Sequence, residues 1–558
     1  MERLSGLDAA FLYLETPTHH MHVAMTMVVD PATMPGGYSF DKVKEFIRSR
    51  LHVAPLFHRR LAEVPFRLNH PVWVEDENFD LDYHLRRIGA PAPGGRRELG
   101  ELAGQIASRQ LDRNRPLWEM WVIEGLKHDR VGIVTKVHHC AIDGASGADF
   151  LVHLFDIEPP TSEGFDDPVE LPTEHFPSDV ELLGYAAASR FRRSVNLLPL
   201  IGRTAQSVAR VVQGRRDPSK PVGAVPLTAP RTPWNGAVTQ HRDVGLARVA
   251  LADLKTVKNA FGCTVNDVVL ALVAGTLRTH LERNDAFPDS PLLAVCPISV
   301  RDLPEGAEPS ANKVSAMFVS LATDTDDVGD RIRAIRQSTK GAKEEHNAVG
   351  ASMLMDWAEF AGPNVFNMAA RLYSSFEIAD HHPVVHNAII SNVPGPSFPL
   401  YYAGAELVAA YPLGPVMEGC GLNITVFSYR DSVDIGFMVC PELVTDLWGM
   451  ADAVDEALAE LLTAAAAEEE WKATAPAAAV AGPTFAPATA AAERAAAASE
   501  TAPASEATET TEPAETAEAE AAAEPAEPTA PPEPTPPTSP ADAPASSPAA
   551  NGIQAHTA

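Results

Sequence analysis

The last 86 residues of this 558-residue chain set the outer bound on what it folds into. From Ala473 to Ala558 there are 15 of the 48 prolines, 12 acids against a single base, Arg494, and one aromatic, Phe485. Such a stretch cannot bury enough apolar surface to offset the entropy of ordering it. The composition changes near Thr463, so residues 463–558 are expected to form a disordered Ala/Pro/Glu-rich tail, acting as a spacer. Folding is confined to residues 1–462, a length for two or three domains, and at 45% hydrophobic residues the chain has material for a sizeable core.

Lys and Arg number 44 against 74 Asp and Glu, a formal charge of −30, of which residues 1–472 carry −19. That balance argues against a nucleic-acid partner, which rewards basic surfaces. The five cysteines, at 140, 263, 296, 420 and 440, are sparse and form no C-x-x-C pair. A disulfide framework or structural zinc site is not expected, and a reducing, cytoplasmic setting fits. The opening residues lack the apolar region of a secretory signal. The longest apolar run, Val268–Leu277, is too short for a membrane span and reads as a buried helix.

The body divides at an irregular stretch that opens with Glu158-Pro159-Pro160. Residues 1–160 and 231–462 are expected to be two α/β halves, with 161–230 a crossover linker. Within the linker, residues 189–220 hold eight bases and one acid among apolar residues such as Phe191, Leu197, Leu200 and Val208. An amphipathic basic segment of this kind either lies on an anionic lipid surface or is a crossover helix with a solvated face. In the second half, Leu251, Leu254, Val257 and Phe261 recur at helical spacing and Gly262 supplies a stop. Thr264 and Asp267 resemble a capping box for a helix from Asn266 through Leu277. Residues 292–296, 388–390 and 423–427 read as buried strands.

The strongest chemical signal is His138-His139-Cys140-Ala141-Ile142-Asp143-Gly144, placed between a strand over residues 131–137 and a helix carrying Phe150, Leu151, Leu154 and Phe155. An imidazole fixed at a strand end, with an ordinary pKa of about 6.5, can deprotonate a hydroxyl as it attacks an acyl carbon. No covalent enzyme intermediate is then required. Asp143 either orients a histidine directly or pairs with an arginine to hold the loop, and Arg301 in Pro297-Ile298-Ser299-Val300-Arg301 is the partner at hand.

His-His-x-x-x-Asp-Gly is also a family signature. The chain resembles acyltransferases of the chloramphenicol-acetyltransferase-like superfamily, and more closely the bacterial wax ester synthase/acyl-CoA:diacylglycerol acyltransferase family. Leu7–Leu12 with Glu15-Thr16-Pro17-Thr18-His19, then Pro116-Leu117-Trp118, Asn266-Asp267, Pro297–Arg301 and Ser391-Asn392-Val393-Pro394-Gly395-Pro396 match its motifs in order over residues 1–462. The resemblance implies two mixed-sheet α/β halves joined by a crossover, with a tunnel between them open to acyl-CoA on one side and the acceptor on the other. Carried onto this chain, His139 is the general base, His138 supports the loop, Asp143 is structural or orienting, and Gly144 permits a close approach after the motif. Asn266 orients the histidine or stabilises the oxyanion, Asn392 and Gly395 line the tunnel, and Pro116–Trp118 shape the core. Where relatives often carry an Asp, this chain has Cys440-Pro441-Glu442, and no role is assigned there. The implied reaction moves a long-chain acyl group from acyl-CoA to diacylglycerol, giving triacylglycerol, or to a long-chain alcohol, giving a wax ester. No cofactor is needed, since acyl-CoA is a substrate. The implied location is cytoplasmic, peripheral on the inner membrane face or on lipid inclusions.

Three rival readings carry less of the sequence. His138 and Asp143 also fit the H-x-x-x-x-D of glycerol-phosphate acyltransferases, and Leu303-Pro304-Glu305-Gly306 echoes a later motif of that group, but at too long a spacing. His20 and His22 would share one face of a strand and suggest metal, yet no carboxylate or cysteine completes a set, so none is assigned and His19, His20 and His22 are read as a wall of the cleft. A catalytically idle relative that binds acyl-CoA or coats lipid inclusions through residues 189–220 is the remaining alternative. No G-x-S-x-G elbow, P-loop or G-x-G-x-x-G fingerprint occurs.

Overall fold

The computed structural model describes residues 2–142, 154–159, 164–169, 171, 176–184, 186, 204, 206, 213, 223–299, 314–349 and 363–474. Arg301, Asp143, Gly144, nearly all of the basic segment 189–220 and the tail from residue 475 lie outside them, as does most of the helix expected after the histidines. In chain order the first half gives β1 (Glu2–Arg3), α1 (Gly6–Leu14), β2 (His22–Asp30), α2 (Phe40–Arg50), β3 (Arg59–Ala62), β4 (Val72–Glu75), α3 (Leu81–His84), β5 (Leu85–Gly89), α4 (Arg96–Ala107), β6 (Trp118–Glu124) and β7 (Val131–His138). The second half gives β8 (Asp243–Ala250), α5 (Leu251–Phe261), α6 (Val265–Arg283), β9 (Leu293–Ser299), β10 (Val314–Ser320), α7 (Val328–Val349) and α8 (Pro363–Ser375), and then β11 (Ala388–Pro394), β12 (Tyr401–Tyr402), β13 (Ala405–Leu413), β14 (Leu422–Tyr429), β15 (Ser432–Val439) and α9 (Leu447–Thr474).

Two six-stranded mixed sheets carry the fold. One runs β12-β13-β2-β7-β6-β5 and the other β10-β9-β11-β14-β15-β8, with a small third sheet β1-β4-β3. Pairing is antiparallel except for β5 with β6 and for β11 with both β9 and β14. The first sheet is not built from the first half alone. Residues 401–413 leave the second half and add β12 and β13 to it, with Tyr411 opposite Thr26 and Leu413 opposite Ala24. The two sheets meet where Ala410 of β13 donates its N–H to the buried Asp434 of β15 at 2.8 Å.

The expected helices form for the expected reasons. Gly262 ends α5 in the left-handed region at φ 59°, where a side chain would be strained. Thr264 and Asp267 form the capping box of α6, with side chain to backbone N–H bonds of 2.9 and 3.2 Å in the two directions. From Asp267 through Leu277 every residue of α6 is buried, as a helix enclosed by α5, α7 and α9 must be. The helix continues to Arg283, beyond the apolar run, because its last turn packs against neighbours. Residues 293–299, 388–394 and 422–429 are strands, and β14 is buried almost throughout, as befits a strand covered on both faces. Among the described residues no single helix is long and apolar enough to cross a membrane; α5 and α6 pass that test only together, bent by 104°. All five cysteines are buried and free.

Candidate active site

The site is built at the end of β7. This strand lies between β2 and β6 and is buried along its whole length, so the residues that follow it start from a rigid point. His138, its last residue, stands opposite His22 and donates its N–H to the Leu117 carbonyl at 3.0 Å. His139 donates its N–H to the Met21 carbonyl at 2.8 Å, and Ala141 donates to the His138 carbonyl at 2.9 Å, closing a turn. The His138 ring is wholly buried, and its Nδ1 accepts the Cys140 N–H at 3.1 Å. His139 is less enclosed: it is half-buried, with its ring stacked on Phe11 at 4.1 Å between centroids.

Phe11 belongs to α1, which Ser5 caps by accepting the Asp8 N–H. One turn later, at the end of the same helix, stands Glu15. Its carboxylate is buried and accepts from Arg113 Nε at 2.8 Å and from Arg113 Nη2, while His138 Nε2 faces Oε2 at 3.7 Å. Burial acts to raise the Glu15 pKa, but His138 and Arg113 outweigh it and hold the carboxyl at about 2. Burial pushes the His138 pKa down, against the pull of Glu15, so the ring is held toward its neutral form.

Pro116-Leu117-Trp118 does what its composition suggests. Leu117 lies in a small apolar cluster with Leu4, Leu12, Tyr13 and Cys140. Trp118 is buried with its indole N–H donated to the Phe57 carbonyl at 3.0 Å. Of the clustered histidines, His22 faces the end of α4, and His20 bonds the Pro17 carbonyl at 3.0 Å. His22 Nε2 bonds the Ala107 carbonyl at 2.8 Å, and His20 approaches the same oxygen at 3.4 Å. Lys136, also fully buried, bonds the Ile106 and Arg109 carbonyls at 2.9 and 2.6 Å and pairs with Glu119. His22 and Lys136 thus satisfy carbonyls left over at the C-terminus of α4. Among the described residues no group of three or more His, Cys, Asp or Glu side chains is arranged to hold a metal ion.

In the second half, Asn266 and Asn392 are brought together. Asn266 stands in the first turn of α6 and Asn392 on β11, and Asn392 Nδ2 donates to Asn266 Oδ1 at 3.3 Å. Gly395 sits just past the end of β11. A Cβ there would lie 2.3 Å from the Ser428 carbonyl and 2.4 Å from the Phe427 ring, so close packing on β14 requires the glycine. At Cys440-Pro441-Glu442 the Glu442 carboxylate binds Thr239 at 2.8 Å and His241 at 2.6 Å, a clasp on the strand entering the second sheet.

Sequence reasoning passed over Phe11, Glu15 and Arg113 as participants. Phe11 and Glu15 lay inside a recognised stretch, and their four-residue spacing puts them on one side of α1. Nothing in the sequence marks Arg113 as the partner of a residue 98 positions away.

Most of the chain is similar to known proteins. The model of the wax ester synthase/diacylglycerol acyltransferase catalytic domain matches residues 4–269, and that of the WS/DGAT C-terminal domain matches residues 310–462. A protein of Mycobacterium tuberculosis, provisionally named diacylglycerol O-acyltransferase, is 40% identical over 465 residues, covering 83% of this chain and 90% of its own. A second protein of that organism with the same provisional name is 37% identical, covering 80% of this chain and 92% of its own. The solved wax ester synthase/diacylglycerol acyltransferase of Marinobacter aquaeolei VT8 superposes with a TM-score of 0.59 at 30% identity, over 84% of this chain and all of that one. A trichothecene 15-O-acetyltransferase of Fusarium sporotrichioides shares the fold at a TM-score of 0.50 and 11% identity, over 82% of this chain and 95% of that one.

Proposed function

The chain belongs to the wax ester synthase/diacylglycerol acyltransferase family, and from that premise we propose that it is an acyltransferase moving a long-chain fatty acyl group from acyl-CoA to diacylglycerol, yielding triacylglycerol and coenzyme A. The observation that carries this reading is the half-buried His139, fixed after a fully buried strand and stacked on Phe11.

His139 takes the proton of the acceptor hydroxyl as its oxygen attacks the thioester carbon. The tetrahedral oxyanion collapses, the carbon–sulfur bond breaks, and the proton held on His139 passes to the departing thiolate. His138 keeps the turn in place. Asp143 and Arg301 are assigned the support of the following loop, and Gly144 the close approach after the motif. Asn266 and Asn392 are assigned to the oxyanion or to the tunnel wall: the bond from Asn392 occupies Asn266 Oδ1 and so orients the donor end of that amide. Gly395 lets the same strand end pack tightly. No cofactor enters the scheme.

We place the enzyme in the cytoplasm, peripheral on the inner membrane face or on lipid inclusions, where a diacylglycerol is found. The basic amphipathic sequence 189–220 supports this. So does an exposed apolar stripe on and just after α8, at Val365, Met368, Leu372 and Phe376, beside Phe66, whose carbonyl accepts from Asn364 at 3.0 Å. Phe66 is 80% exposed and Phe376 68%.

The test is thiol release from palmitoyl-CoA by the purified protein, with diacylglycerol and hexadecanol as separate acceptors and His139→Ala alongside. Acceptor-dependent release lost in the variant is expected, fastest with diacylglycerol. Faster release with hexadecanol would reassign the enzyme as a wax ester synthase, and none with either acceptor would favour the idle lipid-binding relative. Flotation with liposomes, before and after neutralising Arg190, Arg192 and Arg193 or replacing Phe66 and Phe376 by Ser, tests attachment; unchanged flotation would remove these surfaces from the account.

A further inference from the structure

One short helix lies against both histidines. Phe11 of α1 stacks on the His139 ring, and Glu15, four residues later at the helix end, presents its carboxylate to His138. Arg113 holds that carboxylate through Nε and Nη2, and its Nη2 also bonds the Leu12 carbonyl at 2.8 Å, tying the carboxylate to α1 itself.

The hydrogen bonding at His138 shows which nitrogen carries its proton. A backbone N–H can only donate, so the His138 Nδ1 that accepts from Cys140 at 3.1 Å carries a lone pair. The proton of the neutral ring is therefore on Nε2. No hydrogen-bond partner from the described residues reaches Nε2; the Glu15 carboxylate faces it from 3.7 Å, too long for a hydrogen bond but within reach of charge attraction. A negative charge on that side favours the N–H there, and so favours the form that leaves Nδ1 free for Cys140. The Cys140 N–H and the His138 carbonyl together close the turn that holds His139.

We infer that Glu15, anchored by Arg113, is the positioning residue of this active site: it sets the tautomer of His138, and through the His138–Cys140 bond it sets the orientation of the His139 ring on Phe11. This role rests on His139 being the general base. Glu15 does not touch substrate, and it acts through His138. Its low pKa keeps the charge in place at any pH where a histidine works. Replacing it with Gln leaves Arg113 uncompensated beside the ring. A His138 that shifts its proton to Nδ1 then confronts the Cys140 N–H donor to donor, and the turn loses its closing bond.

The experiment uses the full-length Glu15→Gln protein, with Glu15→Asp and Arg113→Lys as milder variants. The groups facing the pair are Arg113, His19 and His20 around the carboxylate, His22 from β2, and Asp8 behind Cys140. Glu15→Gln is expected to lower kcat roughly 10- to 100-fold, the scale of a misplaced reacting group, with KM for palmitoyl-CoA within about twofold. The acidic limb of the kcat profile should move to lower pH, because an uncompensated Arg113 disfavours a cationic imidazole. Glu15→Asp should recover part of kcat. An unchanged kcat in folded Glu15→Gln would overturn the inference. So would a loss of kcat that merely follows a lowered Tm while the acidic limb stays in place. Nitrogen-15 NMR of histidine-labelled protein, with His138→Gln to assign the signal, reads the tautomer without turnover. An Nε2-protonated His138 that changes form in Glu15→Gln supports the positioning role even if no acyl transfer is found; an unchanged tautomer overturns it.

Discussion

The two halves bury different things. Around β7 the first half buries Glu15, His19, His20, His22, Lys136 and His138, none more than 5% exposed. The central helix of the second half, α6, is buried on every side from Val268 to Leu277 and, apart from Thr276, every residue of that run is apolar. Burying charge is costly unless each group is paired, whereas burying leucine and valine stabilises directly. The first half bears that cost around the turn that carries His138 and His139, and the second half supplies a scaffold, two strands of the first sheet and the paired Asn266 and Asn392. Even the buried carboxylates differ. Glu15 is held at about 2 by His138 and Arg113 against its burial, while burial pushes Asp434 up to about 6 despite Arg248 at 3.0 Å.

The sharpest break between the halves is expected from His139→Ala, which should lower kcat roughly 10²- to 10⁴-fold with the far-UV spectrum and Tm retained. A folded variant with normal turnover would move the chemistry elsewhere. Lys136→Met removes one side of a buried pair and strips donors from the end of α4, so it should destabilise by about 3–5 kcal/mol in denaturant titration. Leu277→Ala opens the second core and should cost about 2–5 kcal/mol. Its kcat per folded molecule and its pH profile should be unchanged; a shifted profile would show that the second half is more than scaffold.

The two carboxylates predict opposite pH signatures in stability. Glu15 has a folded pKa below its unfolded value near 4.5, so its contribution is present above that value and is lost as pH falls toward 2. The stability cost of Glu15→Gln should therefore shrink on acidification. Asp434 has a folded pKa above its unfolded value near 3.8, so the wild type gains stability as pH falls from about 6 toward 4. The cost of Asp434→Asn should therefore be larger at pH 4 than at pH 7. Equal slopes would erase the contrast. The smallest effect is expected from Thr264→Ala, about 1 kcal/mol, the usual loss of an N-cap.

The chain's own order of residues determined much of this protein. Strand, His138-His139 and turn follow one another locally, so the candidate catalytic junction was legible. So were the Gly262 stop and the Thr264–Asp267 box, whose partners lie within a few residues of each other. Motif order gave the family, whereas composition set the start of the tail too early: α9 runs on from Leu447 to Thr474, past the expected boundary at residue 463, because the apolar side of an alanine-rich helix still packs on the second core at Ala465. What only the tertiary structure decided are the pairings across distance: Arg113 with Glu15, Phe11 on His139, His22 and Lys136 as donors to the end of α4, and β12 and β13 crossing into the first sheet. A cap or a helical period is written in neighbouring residues, because its bonds close within one turn. An ion pair between residues 98 positions apart, or a strand lent to another sheet, depends on how separate elements pack, and no local pattern encodes it.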